Sequence, residues 1–357
     1  MRRTLLTLLV GLSLLLPAPL RADSQVLADS PVLKVLRDYI ESLRVQAGIP
    51  GLAVAVVGTT DIVWEEAFGR QDLEQSIAAR TDTPFHLDGL TQTFTASLVL
   101  RCVEEGRVTL GDRIGQFSPD SSEPNATIRE LLTHTSGAPN SVFAYRPERL
   151  EPLAAVVRAC TSDSFRESLA NQLDRLAMRD SVPGPDSIHL TPPAEGIPEP
   201  AVAQRYTAVL NRLAIPYAVD QQKRASRSQY AATTLRPALG LISTTRDLAQ
   251  FDLGLKKGVL LRPETLALAW TAPLGGDGQP LPHGLGWFVQ PYAGEKIVWQ
   301  FGFGANASSA LVVSVPARGL TYILLANSTG LVEPMPLTAA QLMASPFVRV
   351  LLSFFTG

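Results

Sequence analysis

The chain has 357 residues, 46% hydrophobic and 18% charged, a composition that builds a packed core and excludes a disordered, charge-rich chain. Lys and Arg number 31 against 33 Asp and Glu, for a net charge of −2. There is no basic excess to neutralise a run of phosphates, which excludes nucleic acid as a partner class, and the length fits one large domain or a domain carrying a subdomain.

In chain order, Met1-Arg2-Arg3, an apolar run over 5–16, Pro17 and small residues at Ala18 and Ala22 have the layout of a secretory signal peptide over 1–22. Pro17, Pro19 and Arg21 cut the apolar stretch below the ~20 residues of a spanning helix. No stable membrane span is expected after cleavage, and the mature chain is expected in the periplasm or outside the cell. Residues 32–46 read as an amphipathic helix with Val32, Leu36, Tyr39, Ile40 and Leu43 on one stripe. The apolar run 51–57, the turn Thr59-Thr60-Asp61 and the run 62–68 read as a hairpin.

Asp88 is expected to N-cap a helix in which Leu90, Phe94, Leu98 and Cys102 recur every four residues until Gly106 stops it. Further helical stretches lie over 150–158, 164–176 and 201–213, around a proline-rich segment at 182–200. The period then changes to strands over 287–292, 296–301, 308–315 and 320–326, and 347–355 reads as a final helix on the sheet. Strands at both ends around a helical middle imply an α/β (α+β) fold within 32–355. One antiparallel sheet, flanked by helices, is assembled from about 32–80 and 236–355, and a mostly α-helical subdomain over about 81–235 is inserted into it. Cys102 and Cys160 are expected as two buried free thiols, although an oxidising compartment would permit a disulfide. No cluster with metal-ligand spacing is present, and neither metal nor organic cofactor is expected.

The run Asp88-Gly89-Leu90-Thr91-Gln92-Thr93-Phe94-Thr95-Ala96, with Glu104 to Asp112 behind it, resembles the serine β-lactamase/penicillin-binding family: class C β-lactamases, D,D-peptidases and related esterases. Thr127 to Gly137 is similar to that family's Leu-Leu-x-His-x-Ser-Gly string, and 239–248 and 284–287 match further family stretches. The resemblance spans roughly 33–352 and implies a β-lactamase/transpeptidase-like fold.

It also aligns the catalytic positions. The Ser-x-x-Lys motif falls on Gly89 and Gln92, which supply neither a nucleophile nor a base near neutral pH. The Tyr-x-Asn motif falls on Tyr145 and Pro147, so the tyrosine is kept and the amide lost. The third motif, (Lys/His)-x-Gly, falls on Gln300, Phe301 and Gly302. There a neutral amide replaces a cation and Gly302 is expected to keep the strand edge open to a ligand. His134 reads as a hydrogen bonder bracing its loop, and Tyr145 as a neutral phenol.

Three readings follow. The leading one is a catalytically silent, exported family member whose cleft binds a peptidoglycan-like peptide, a β-lactam or a small ester. The second is an active hydrolase of β-lactamase, esterase or D-aminopeptidase type with a displaced nucleophile among Thr91, Thr93, Ser308 and Ser309, or with Asp88 as base. The third is a structural or protein-interaction domain.

Overall fold

The computed structural model describes residues 31–137, 142–333 and 340–356; the expected signal peptide at 1–22 lies outside them. Helix α1, Pro31–Ala47, leads into strands β1, Gly51–Val57, β2, Ile62–Asp72, and β3, Ile77–Ala78. After the helical region come β4, Phe288–Tyr292, β5, Glu295–Gly304, β6, Ser308–Val315, and β7, Leu320–Ala326. These seven make one sheet in the order β3-β2-β1-β7-β6-β5-β4. Every pairing is antiparallel, and β1 closes onto β7 with Leu52 opposite Ala326 and Val57 opposite Thr321. The two chain ends therefore meet at the centre of the sheet.

Strand β1 is apolar at every position because both its faces are covered. Leu52, Val54 and Val56 pack with Leu36 and Ile40 of α1 and with Phe347 and Leu351 of the last helix. Ala53, Ala55 and Val57 face the opposite core, built on Phe94, Val99 and Leu248. Period-2 alternation thus sends alternate residues of β1 into two different cores. On α1 the stripe is narrower than expected: Leu36 and Ile40 are fully buried, whereas Tyr39 is 54% exposed and meets Phe354 edge-on. Tyr39 follows Leu36 by three residues, about 60° short of a full turn, whereas Ile40 overshoots by only about 40°, so Tyr39 lies off the packed face.

Between the sheet halves run α2, Thr91–Glu104, α3, Ile128–Leu132, α4, Leu153–Thr161, α5, Phe165–Arg175, α6, Pro200–Leu210, α7, Thr245–Lys256, and α8, Pro263–Ala269; α9, Pro346–Thr356, closes the chain. Capping boxes start two of them: Thr127 with Glu130 for α3, Ser164 with Glu167 for α5. No helix among the described residues is long and apolar enough to cross a membrane.

Two expectations fail here. Cys102 of α2 and Cys160 of α4 form a disulfide rather than two free thiols, with their Cα atoms 6.0 Å apart. Both helices turn these apolar positions into the same interface, which sets the sulfurs face to face. Asp88 does not cap α2: it lies in a 3-10 turn, Asp88–Leu90, with φ +46°, and no side chain caps that turn or α2. The turn is closed by its own backbone, Leu90 N–H to the Leu87 carbonyl, which frees the Asp88 carboxylate for another partner.

Candidate active-site cleft

Helix α2 forms the floor and is buried on nearly every side, from Thr91 to Leu100. Its polar side chains are consequently all spoken for: the Thr91 hydroxyl accepts from Leu241 N–H, Thr95 donates to the Pro237 carbonyl, and Ser97 bonds Gln172. Gln92, fully buried, points toward the end of α3 and the segment that carries Tyr145.

The sequence Thr127 to Gly137 explains how His134 reaches it. Helix α3 ends at Leu132, and His134 takes a left-handed backbone, φ +54°, which turns its ring inward. Its Nδ1 accepts from Arg146 N–H at 3.2 Å, so the ring proton sits on Nε2, 2.9 Å from the Gln92 carbonyl oxygen. The Gln92 amide N–H in turn donates to the Tyr145 hydroxyl at 2.7 Å. A chain of hydrogen bonds thus runs from the Arg146 backbone through His134 and Gln92 to Tyr145. Burial holds His134 well below the usual imidazole range, with His283 beside it adding to the effect, and burial holds the Tyr145 phenol well above its usual range. Every member of the chain is therefore neutral at pH 7.

His134 both braces its loop and contacts the Gln92 position. Pro147 opens a 3-10 turn, Pro147–Leu150, that follows Tyr145, and Arg149 anchors it to Glu123 at 2.7 Å and to the Ser136 carbonyl.

At Gly89 a Cβ atom would lie 3.0 Å from both the Tyr145 hydroxyl and the Phe301 carbonyl, and 3.4 Å from Gln92 Nε2. A side chain at this position would press on these neighbours, which would have to give by a few tenths of an ångström. Phe301 packs against Tyr145, ring centroids 5.2 Å apart, and Phe288, Phe143 and Trp299 extend the aromatic layer.

Gln300 is fully buried, and its polar atoms are spent inward: Oε1 accepts from Phe301 N–H at 2.9 Å, and Nε2 reaches Gly286 O at 3.3 Å and His283 Nε2 at 3.4 Å. Gly302 does not hold the strand edge open. A Cβ there would fall 2.0 Å from the Leu87 carbonyl, so glycine is required because the backbone of the 3-10 turn presses directly on β5. Gly89, Gln92, Tyr145 and Phe301 are brought together, with Pro147 on the flanking turn and Gln300 behind them.

His283 was not singled out in the sequence. Its ring is fully buried, stands perpendicular to His134 at 4.8 Å, and is pushed down to about 4 by burial. Its signal was its place directly before Gly284-Leu285-Gly286-Trp287, whose Gly286 N–H bonds the Leu132 carbonyl at the end of α3.

A second polar group lies behind Gly89. The Ser308 hydroxyl donates to Asp88 Oδ2 at 2.6 Å, and His86 Nδ1 stands 3.3 Å from Asp88 Oδ1. Ser308 and His86 are fully buried and Asp88 is 6% exposed. No lysine or arginine side chain is bonded to Gly89, Gln92, Tyr145 or Gln300 among the described residues, and these hold no group of three or more His, Cys, Asp or Glu placed for a metal.

A family model for Beta-lactamase matches residues 36–344. This chain belongs to the beta-lactamase family. Among curated relatives, "Penicillin-binding protein 4*" of Bacillus subtilis (strain 168) is 30% identical over 107 residues, 30% of this chain and 24% of that protein. "Protein flp" of Staphylococcus aureus is 27% identical over 100 residues, 26% of this chain and 20% of that protein. The matches thus span about a quarter or less of those relatives' own length.

Solved structures of beta-lactamase relatives share the fold over most of the chain. The octameric penicillin-binding protein homologue from Pyrococcus abyssi superposes with a TM-score of 0.69 at 19% identity, covering 87% of this chain and 76% of that one. A class C beta lactamase from Rhodobacter sphaeroides gives 0.68 at 16% identity, covering 90% and 99%. The D-amino acid amidase from Ochrobactrum anthropi SV3 gives 0.70 at 16%, covering 92% and 99%. The mixed fold with its antiparallel sheet and flanking helices is that of the beta-lactamase and penicillin-binding structures.

Proposed function

We propose that this chain is an exported, catalytically silent member of the beta-lactamase family that acts by binding rather than by acyl transfer. The observation that carries the reading is the neutral chain His134–Gln92–Tyr145 beside Gly89. Acylation needs a nucleophile and a group that takes its proton. Gly89 has no side chain, Gln92 has no basic nitrogen, and the tyrosine hydroxyl is held neutral by burial. The ligand is a peptidoglycan-like peptide, a β-lactam or a small ester. With Gln300 turned inward, no cation of the third motif meets a ligand carboxylate, and binding falls to the outer part of the cleft and to hydrogen bonds with neutral groups. The periplasm or the extracellular space is the expected compartment; the Cys102–Cys160 bond and the signal-peptide layout both support it.

The test pairs equilibrium binding of a D-Ala-terminated stem peptide, a β-lactam and a small ester with turnover of a chromogenic ester. Saturable binding without turnover supports the reading. Turnover well above buffer contradicts silence, and no binding to any of the three ligand classes contradicts the binding role.

One observation favours a displaced nucleophile: the Ser308–Asp88 contact is a hydroxyl donating to a carboxylate, with His86 on the far oxygen. Burial of Ser308 weighs against it, because a substrate reaches that oxygen only if the turn over it moves. Thr93 donates to the Leu90 carbonyl and Ser309 to the Ser328 carbonyl, so these hydroxyls already have structural bonds. Hydrolysis abolished by Ser308→Ala would establish this second reading.

A further inference from the structure

The two buried histidines share a feature that the acyl-transfer comparison does not use. Each presents its unprotonated ring nitrogen to an N–H donor: His134 Nδ1 faces the Arg146 backbone N–H, and His283 Nε2 faces the Gln300 amide. Each already commits its ring proton, His134 to the Gln92 carbonyl oxygen and His283 to the Gly284 carbonyl at 2.8 Å. A second proton on His134 would set donor against donor at Nδ1, whereas the Leu132 carbonyl beside His283 favours its protonated ring. The rings are also 4.8 Å apart, so two imidazolium charges would repel inside the fold.

The groups facing this pair are all neutral. From α2 comes Gln92, from the end of α3 the Leu132 carbonyl, from the segment after α3 Phe143, Tyr145 and the Arg146 backbone, from β4 Phe288 and from β5 Gln300. On α3, just before His134, Glu130 is turned to Thr127, and Glu148 acts on the Tyr145 hydroxyl rather than on an imidazole. No carboxylate faces either ring among the described residues to receive the added charge.

The two acceptor sites differ in what can yield. The Gln300 amide can rotate, at the cost of its bond from Phe301 N–H. The Arg146 donor is backbone and cannot turn without moving the chain on which Tyr145 sits. We propose that His134 is an acid-sensitive latch: protonation at Nδ1 expels the Arg146 N–H, releases the segment 142–149 and withdraws the Tyr145 hydroxyl from the space beside Gly89. Acid thereby clears the position beside Gly89 that the Tyr145 hydroxyl crowds at neutral pH. This goes beyond the binding role and holds whether or not the chain acylates.

The experiment is hydrogen–deuterium exchange on the full chain between pH 7 and 4, corrected for the pH dependence of intrinsic exchange, with the histidine rings titrated by NMR in the same samples. Protection of peptides covering 142–149 should fall by ~10-fold or more as His134 takes up its proton, while β1 and β7 keep theirs. In His134→Asn the amide oxygen stands near the Nδ1 position without titrating, and protection of 142–149 should no longer follow pH. The latch is overturned if 142–149 and the sheet lose protection together, if His134 protonates with 142–149 unchanged, if the segment opens while the ring is neutral, or if the ring stays neutral down to pH 4. These readings come from the wild-type chain alone and stand even where the variant fails to fold.

Discussion

The Gln92 amide donates to the Tyr145 hydroxyl across 2.7 Å, while its carbonyl oxygen takes the His134 Nε2 proton at 2.9 Å. One side chain therefore satisfies two buried partners of opposite demand, one needing a donor and the other an acceptor. An ammonium has three donors and no acceptor, and would leave His134 Nε2–H facing a charge of the wrong sign. Glutamine at 92 and a histidine protonated on Nε2 at 134 belong to one arrangement, which follows from hydrogen-bond polarity alone.

Gln92→Leu should therefore cost more than its size suggests. It strands the His134 Nε2–H and removes the donor to Tyr145, each worth about 1–3 kcal/mol when left unpaired in the interior. Urea unfolding should show a lower midpoint with an unchanged slope. A midpoint equal to wild type would mean that water or another side chain replaces both bonds.

The double change Gly89→Ser with Gln92→Lys should not restore acyl transfer. The serine Cβ meets the Tyr145 hydroxyl and the Phe301 carbonyl at 3.0 Å, and Pro147 and Gln300 still lack their family functions. Burying the ammonium without a carboxylate should also lower stability by about 2 kcal/mol or more. Chromogenic cephalosporin turnover checks the first statement and denaturant unfolding the second. Strong rescue would show that the losses at 147 and 300 matter little.

Breaking Cys102–Cys160 should be costly. The bond closes a loop of 58 residues, for which chain entropy predicts about 4 kcal/mol. Cys102→Ser with Cys160→Ser should lower the unfolding midpoint well below the oxidised wild type. Both cysteines are 2% exposed, so the native wild type should react with thiol reagents only after denaturation and reduction.

Two buried groups push stability in opposite directions with pH. His283 is pushed down to about 4 from an ordinary 6.5, so the stability of its neutral form is complete above 6.5 and lost as pH falls toward 4. Asp247 is raised by burial from 3.8 to about 6, so its ionisation costs nothing below 3.8 and weighs increasingly as pH rises toward 6. Each shift is worth about 3 kcal/mol. Asp247→Asn should remove the second effect and leave stability falling more steeply on acidification than in wild type. Unfolding midpoints at several pH values across this window measure it; parallel curves would refute it.

Much of the fold was legible because it rests on local pattern. The unbroken apolar run of β1 marks a strand covered on both faces, and the change of period late in the chain marks the strands β4 to β7. Of the site, the alignment of motifs located Gly89, Gln92 and Tyr145. What escaped depends on partners far away in the chain. Asp88 looks like an N-cap until Ser308, 220 residues on, takes its carboxylate. Gly302 looks like an open strand edge until the Leu87 carbonyl is seen against it. The disulfide depends on which faces α2 and α4 turn to each other, and a lone histidine such as His283 has no periodic pattern to expose it.

The central claim is that no group near Gly89 can form an acyl-enzyme. It is tested most directly by intact-mass measurement after incubating the purified chain with a large excess of a reactive penicillin at neutral pH. The account predicts the unmodified mass after prolonged exposure, with the folded state confirmed in parallel. A stoichiometric adduct of the penicillin's mass, lost when the chain is unfolded before exposure, would contradict it.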